Sequence, residues 1–187
     1  DELDELVSMH KASASSMKTI ADAIRKFEST MIMVLLIGPP GSGKSTIAEY
    51  VKNLLSSDYK SCFIVSGLKS TCKKAIKEYL RNEVNFIVDN CNQSAAMRKE
   101  YIDLVKNEGY AVLMIDIKIS DRLARHLSFY RTEVSSDFSH CDVPNATFAA
   151  FNKKYDPASS AEFDGELSIV EWVTTLPFAS PQFWMIY

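Results

Sequence analysis

Met33-Val34-Leu35-Leu36-Ile37-Gly38-Pro39-Pro40-Gly41-Ser42-Gly43-Lys44-Ser45-Thr46 joins an apolar run to a glycine-rich turn and then to a lysine and two hydroxyl residues. A continuous apolar run is expected of a parallel strand buried on both faces. Behind the turn, Ile47, Ala48, Val51, Leu54 and Leu55 recur at helical spacing. Strand, glycine turn and helix in this order are the context that G-x-x-x-x-G-K-[ST] requires of a phosphate cradle. Gly38, Gly41 and Gly43 permit backbone conformations in which successive N–H groups converge on phosphate oxygens at a helix N-terminus. Gly38 to Thr46, with Pro39, Pro40 and Ser42 between the glycines, is therefore the expected nucleotide-binding segment. Lys44 would supply a charge for the β- and γ-phosphates and Ser45 a hydroxyl for Mg²⁺, with ATP or another NTP as ligand.

Outward from this stretch, strands and helices alternate. Residues 61–67, 84–89 and 110–117 read as further strands, and 71–81, 94–108 and 121–130 as helices, the second of these stopped by Gly109. That alternation means βαβ units, hence a parallel sheet flanked by helices, with ligands at its C-terminal edge. Past this the pattern weakens to a polar loop over 132–144, a short helix over 145–154, a loop over 156–164 and a last strand near 166–173. Before the cradle, Met17, Ile20, Ala21, Ile24 and Phe27 form one helical stripe, so residues 1–30 read as an N-terminal helical extension and 31–187 as the main domain.

The chain has 187 residues, 47% of them hydrophobic, and a net charge of −3, so no global field draws it to nucleic acid or an anionic membrane. Cys62, Cys72, Cys91 and Cys141 show no metal-ligand spacing, and His10, His126 and His140 share none either. The cysteines read as reduced thiols of a cytoplasmic or nuclear protein. No segment has membrane-spanning length and the acidic start is unlike a signal peptide, so a soluble protein without a membrane partner is expected. A start at Asp1 rather than Met, and an apolar end at Phe183-Trp184-Met185-Ile186-Tyr187, read as a domain of a longer polypeptide.

Two strand-end carboxylates, Asp89 and Asp116, are candidates to hold Mg²⁺ with Ser45, and Asp89 is preferred because it opens the polar turn Asp89-Asn90-Cys91-Asn92. Arg98 and Tyr101 share a helical face and belong either to the site or to helix packing. Arg122, Arg125 and Arg131 follow the fourth strand, where small P-loop kinases carry a lid whose arginines neutralise the transferring phosphoryl group. Arg125 and Arg131 are the preferred pair. Lys69, Lys73, Lys74, Lys77 and Arg81 make the densest basic stripe, either a solvated face or a nucleic-acid contact.

The order of the cradle, Val88-Asp89-Asn90-Cys91-Asn92 with Arg98 and Tyr101, Ala124-Arg125-His126 with Arg131, Val143-Pro144, and Lys153-Lys154-Tyr155-Asp156-Pro157 followed by Glu162-Phe163 resembles the kinase domain of polynucleotide 5′-hydroxyl kinases. The resemblance runs from about Ile32 to about Val170. It implies a P-loop NTPase α/β fold, adenylate-kinase-like with a lid. It also implies transfer of the γ-phosphate of an NTP to the 5′-hydroxyl end of RNA or DNA with Mg²⁺, and a catalytic set of Lys44, Asp89, Arg125 and Arg131. By the same likeness, Phe148 to Tyr155 flank the nucleotide base. The chain departs from the family after the second strand: Val65-Ser66-Gly67-Leu68-Lys69 stands where an Asn-Arg-Asp-type motif supplies the general base. A degenerate NTP-binding module with slow hydrolysis at most is the alternative.

Overall fold

The computed structural model describes residues 17–27, 29–56, 60–134 and 143–173. The charged start with His10, the segment with His140 and Cys141, and the apolar end from Phe183 lie outside the described residues.

A helix over residues 17–25 (α1) leads to β1 (Met31–Ile37), α2 (Lys44–Leu55), β2 (Cys62–Val65), α3 (Lys69–Arg81), β3 (Asn85–Val88), α4 (Ala95–Val105), β4 (Tyr110–Lys118), α5 (Asp121–Val134), α6 (Asn145–Lys154) and β5 (Leu167–Val173). The strands form one sheet in the order β2-β3-β1-β4-β5, and every pairing is parallel. β1 is central and pairs with β3 on one side and β4 on the other. The connection from β1 runs to β2 on one side, and that from β3 crosses to β4 on the other, so the C-terminal end of β1 opens on the crevice where ligands of such sheets bind.

Alternation along β1 divides the core. Ile32, Val34 and Leu36 point to the face covered by α1 and α2, where Ile20, Ala23, Ile24 and Phe27 join Ile47, Val51 and Leu55. Met33, Leu35 and Ile37 point to the face covered by α3 and α4, against Cys72, Ile76, Tyr101, Ile102 and Val105. The N-terminal helix is thus seated on the sheet.

Some boundaries differ from expectation. α4 begins after Ser94, whose hydroxyl accepts from the Met97 N–H, and it ends at Val105. The chain then turns through Asn107 and Gly109, both at positive φ, so the stop comes a few residues before the glycine. α5 runs to Val134, into the stretch expected to be a loop.

Candidate functional site

β1 ends at Ile37, and the next residue ties the turn to its neighbour: the Gly38 N–H donates to the Cys91 carbonyl at 3.1 Å. The chain then reverses through Gly41 (φ 72) and Gly43 (φ 86), left-handed conformations that glycine adopts without a steric penalty. Gly43 is the N-cap of α2 and uses no side chain to cap it. The unpaired N–H groups of the first helical turn therefore face the crevice, an arrangement that favours an anion. α5 packs directly on the turn, and a Cβ on Gly41 would stand 2.2 Å from the Ala124 carbonyl oxygen.

Lys44 reaches back over the turn and donates to the carbonyls of Gly38 (3.1 Å) and Pro39 (2.6 Å). Burial holds its ammonium below the ordinary lysine pKa and the neighbouring Arg131 pushes the same way, while Cys91 and Asp89 oppose the shift. Ser45 donates to a carboxylate oxygen of Asp89 at 2.7 Å, across 44 residues of sequence. A hydroxyl and a carboxylate side by side at a phosphate turn are the hard oxygen donors that Mg²⁺ takes together with phosphates and water. Among the described residues no group of three or more His, Cys, Asp or Glu gathers to hold a metal. Asp116, the other strand-end acid, is buried inside β4 and accepts from Lys118 (2.9 Å) and the Tyr155 hydroxyl (2.6 Å), while Lys118 also bonds that hydroxyl. It pairs internally and does not meet Ser45.

The two preferred arginines part company. Arg131 lines, with Pro40, Lys44, Ser45 and Thr46, a cleft of about 280 Å³ over the cradle. Arg125 donates to Asp121 at 2.6 Å, also bonds the Asn145 side chain, and lies 4.7 Å over the Phe148 ring, which joins α5 to α6. On the other flank of Pro39, Ile117, Lys118, Phe151 and Tyr155 line a second cavity of about 540 Å³. The segment expected to flank the base thus lies beside the cradle.

Arg98 belongs to packing. It is fully buried, bonds both oxygens of Glu162 at 2.7 Å, and donates to the carbonyls of Asn92, Asp156 and Pro157. It thereby clamps the segment after α6 to the turn that carries Asp89. Asn92 holds that turn from the other side, donating to the Leu36 carbonyl at 2.8 Å from a positive-φ backbone (φ 44). Sequence reasoning missed this clamp because Glu162 lies 64 residues from Arg98.

The turn after β2 is ordered but carries no acid. Asn90 accepts from the Gly67 N–H (3.0 Å) and donates to the Gly67 carbonyl (3.3 Å). Gly67 has φ 95, and a Cβ there would meet nothing within 4 Å.

Residues 33–158, well over half of the chain, match the model of the AAA domain family. The chain belongs to that family. This AAA domain is a P-loop kinase-like domain, and its similarity to a polynucleotide phosphatase/kinase agrees with the resemblance read from its motifs. It is 30% identical over 124 residues to the bifunctional polynucleotide phosphatase/kinase of Schizosaccharomyces pombe, an alignment of 66% of this chain and 29% of that protein. It is 32% identical over 93 residues to transcription factor bHLH140 of Arabidopsis thaliana, covering 46% of this chain and 10% of that one. The chain thus spans less than a third of either relative. Among solved structures, Chaetomium thermophilum Kti12 in complex with ADP-AlF3 superimposes with a TM-score of 0.54 at 15% identity, over 82% of this AAA domain and 94% of that chain, and so shares the fold. No helix among the described residues is long and apolar enough to cross a membrane.

Proposed function

We propose that this AAA domain binds an Mg²⁺-NTP in the cradle and directs its γ-phosphate, slowly, to the 5′-hydroxyl end of RNA or DNA. The observation that carries the reading is the Ser45–Asp89 contact of 2.7 Å at the mouth of the Gly38–Thr46 turn. The 30% identity to a polynucleotide phosphatase/kinase supports the acceptor class. Ser45 and Asp89 would hold Mg²⁺, which supplies charge neutralisation at the phosphate oxygens. The backbone N–H groups from Gly41 to Lys44 bind the phosphates, and Lys44 turns from the Gly38 and Pro39 carbonyls to the same anion. Arg131 stands where it can meet the charge that spreads over the transferring group. Arg125 contributes by fixing α5 against α6, which orients the helix that carries Arg131.

A second reading, an NTP-binding module with at most slow hydrolysis, draws on Gly67. No carboxylate stands on the turn after β2 to take the acceptor's proton, and general-base assistance is worth about 10²- to 10⁴-fold. Labelling of 5′-hydroxyl RNA and DNA with γ-labelled NTPs, run beside a phosphate-release assay, separates the two. Label on the oligonucleotide that depends on Lys44 supports transfer. Phosphate release alone, or neither product with NTP still bound, leaves only the module.

A further inference from the structure

α3 carries five cations on one flank. At about 100° per residue, Lys69, Lys73, Lys74, Lys77 and Arg81 fall within an arc of about 140°, which leaves out the buried Cys72 and Ile76. Lys69, Lys74, Lys77 and Arg81 are exposed and Lys73 is half-buried. Among the described residues, one acid answers them directly: Glu100 of α4 bonds Lys69 and Lys73 at 2.7 Å each. Of the other acids near this face, Asp103 is held by Lys99 at 2.7 Å, and Glu78 lies beyond the edge of the arc. A chain of net charge −3 thus concentrates positive charge on a single helix flank.

The flank also has a direction. Its head, Lys69, is two residues past Gly67, which Asn90 pins beside Asp89. From there the row runs for about 18 Å along the helix, with a cation at each step of about 6 Å from Lys69 through Lys73 and Lys77 to Arg81. Every helix that follows a strand of this parallel sheet starts at that edge, so the direction comes from the fold; what is particular to α3 is the row of cations along it, and a row on one flank suffices to meet a single phosphate backbone.

We infer that the basic flank of α3 is a track for single-stranded nucleic acid whose 5′ end enters the cleft, with Lys74, Lys77 and Arg81 contacting phosphates downstream of that end. The inference rests on the proposed end-directed reading and deepens it. Glu100 tempers the track by engaging the two lysines nearest the cleft.

The test is fluorescence anisotropy of 5′-hydroxyl oligonucleotides of about 12 and about 3 nucleotides, lengths inside and below the usual single-strand site size, at several salt concentrations. Lys74→Glu with Lys77→Glu should weaken the longer oligonucleotide at least about tenfold and lower the log–log salt slope by about 1.4, the value for two lost phosphate contacts. Binding of the shorter one and of NTP should stay as in the parent. Glu100→Gln should act in the opposite direction, tightening the longer oligonucleotide and steepening its slope. Lys18→Glu with Lys106→Glu, an equal charge change elsewhere, is the control. The track is overturned if the α3 pair leaves affinity and slope unchanged, if the control weakens binding equally, or if the parent binds no oligonucleotide. It is also overturned if a polyglutamate peptide binds as tightly through the same lysines, which would assign the flank to an acidic protein. Loss of end-labelling with this pattern of binding intact would sink the kinase reading alone. Retained labelling with binding indifferent to α3 would sink the track alone.

Discussion

On one side of the cleft, the cradle is pinned by contacts that converge from distant sequence: Gly38 on Cys91, Ser45 on Asp89, and α5 against Gly41. On the other side, the turn after β2 is held by Asn90 and, more weakly, by the Cys72 thiol donating to the Gly67 carbonyl, and it presents Gly67 to open space. Both turns cap parallel strands of the same sheet and both use left-handed glycines. The difference is in what the glycines serve. Gly41 and Gly43 shape a nest for an anion, whereas Gly67 leaves a surface with no acid to act on an acceptor. On the proposed reading, the half that binds the donor is built while the turn after β2 offers no acid to the acceptor, and the two can differ because they are carried by separate strand ends.

The largest effect that would break this contrast is at Lys44. Lys44→Ala should lower any NTP-dependent turnover by about 10²- to 10³-fold, the range for removing one preorganised charge or donor, and should weaken NTP binding. Parent-like turnover and affinity, measured by phosphate release and nucleotide titration, would remove the basis for calling this half a donor site. Next comes the opposite half. Gly67→Asp places a carboxylate in open space, at a positive-φ strain of about 1–3 kcal/mol, and should raise 5′-end labelling by up to about 10²-fold, the lower value for general-base assistance, with NTP affinity unchanged. No gain, in a variant shown to be folded, would mean that the acceptor's proton leaves by another route.

The nest itself is sharpened by comparing two glycines. Alanine at either position carries positive-φ strain of about 1–3 kcal/mol, but at Gly41 its Cβ also clashes with the Ala124 carbonyl, whereas at Gly43 it meets nothing within 4 Å. Thermal unfolding should therefore show a larger loss for Gly41→Ala, and equal losses would contradict the close seat of α5 on the turn. The smallest expected effects separate the two arginines. Arg131→Ala should cut turnover about tenfold while leaving NTP affinity nearly unchanged, as loss of a contact made in the transition state does. Arg125→Ala should chiefly loosen α5 from α6 by removing its contacts with Asn145 and Phe148, while loss of its partly exposed pair with Asp121 within α5 costs about 1 kcal/mol or less. Reversed outcomes would exchange their roles.

Lys44 also lends the donor half a pH dependence. Its ammonium deprotonates below the ordinary lysine range because burial disfavours the charged form. NTP affinity should accordingly decline as pH rises through that lowered value, earlier than a solvated lysine would cause, and Lys44→Ala should abolish this limb of the profile.

Much of this was legible in the chain. The apolar run, the glycine positions and the Lys-Ser pair of the cradle follow from local backbone requirements and short spacing, and the alternation of buried strands with helices implied the parallel sheet. The absence of an acid at Gly67 was equally readable. Tertiary structure decided the rest. It brought Asp89 to Ser45 and gave Asp116 to Lys118 and Tyr155, two strand-end acids that look alike until their neighbours are known. It turned Arg131 to the cradle and Arg125 to Asp121 and Phe148, and it sank Arg98 against Glu162. The physical reason is common to all of these: what a charged side chain does depends on the group it meets after the sheet has wound, and most of the deciding partners stand tens of residues away.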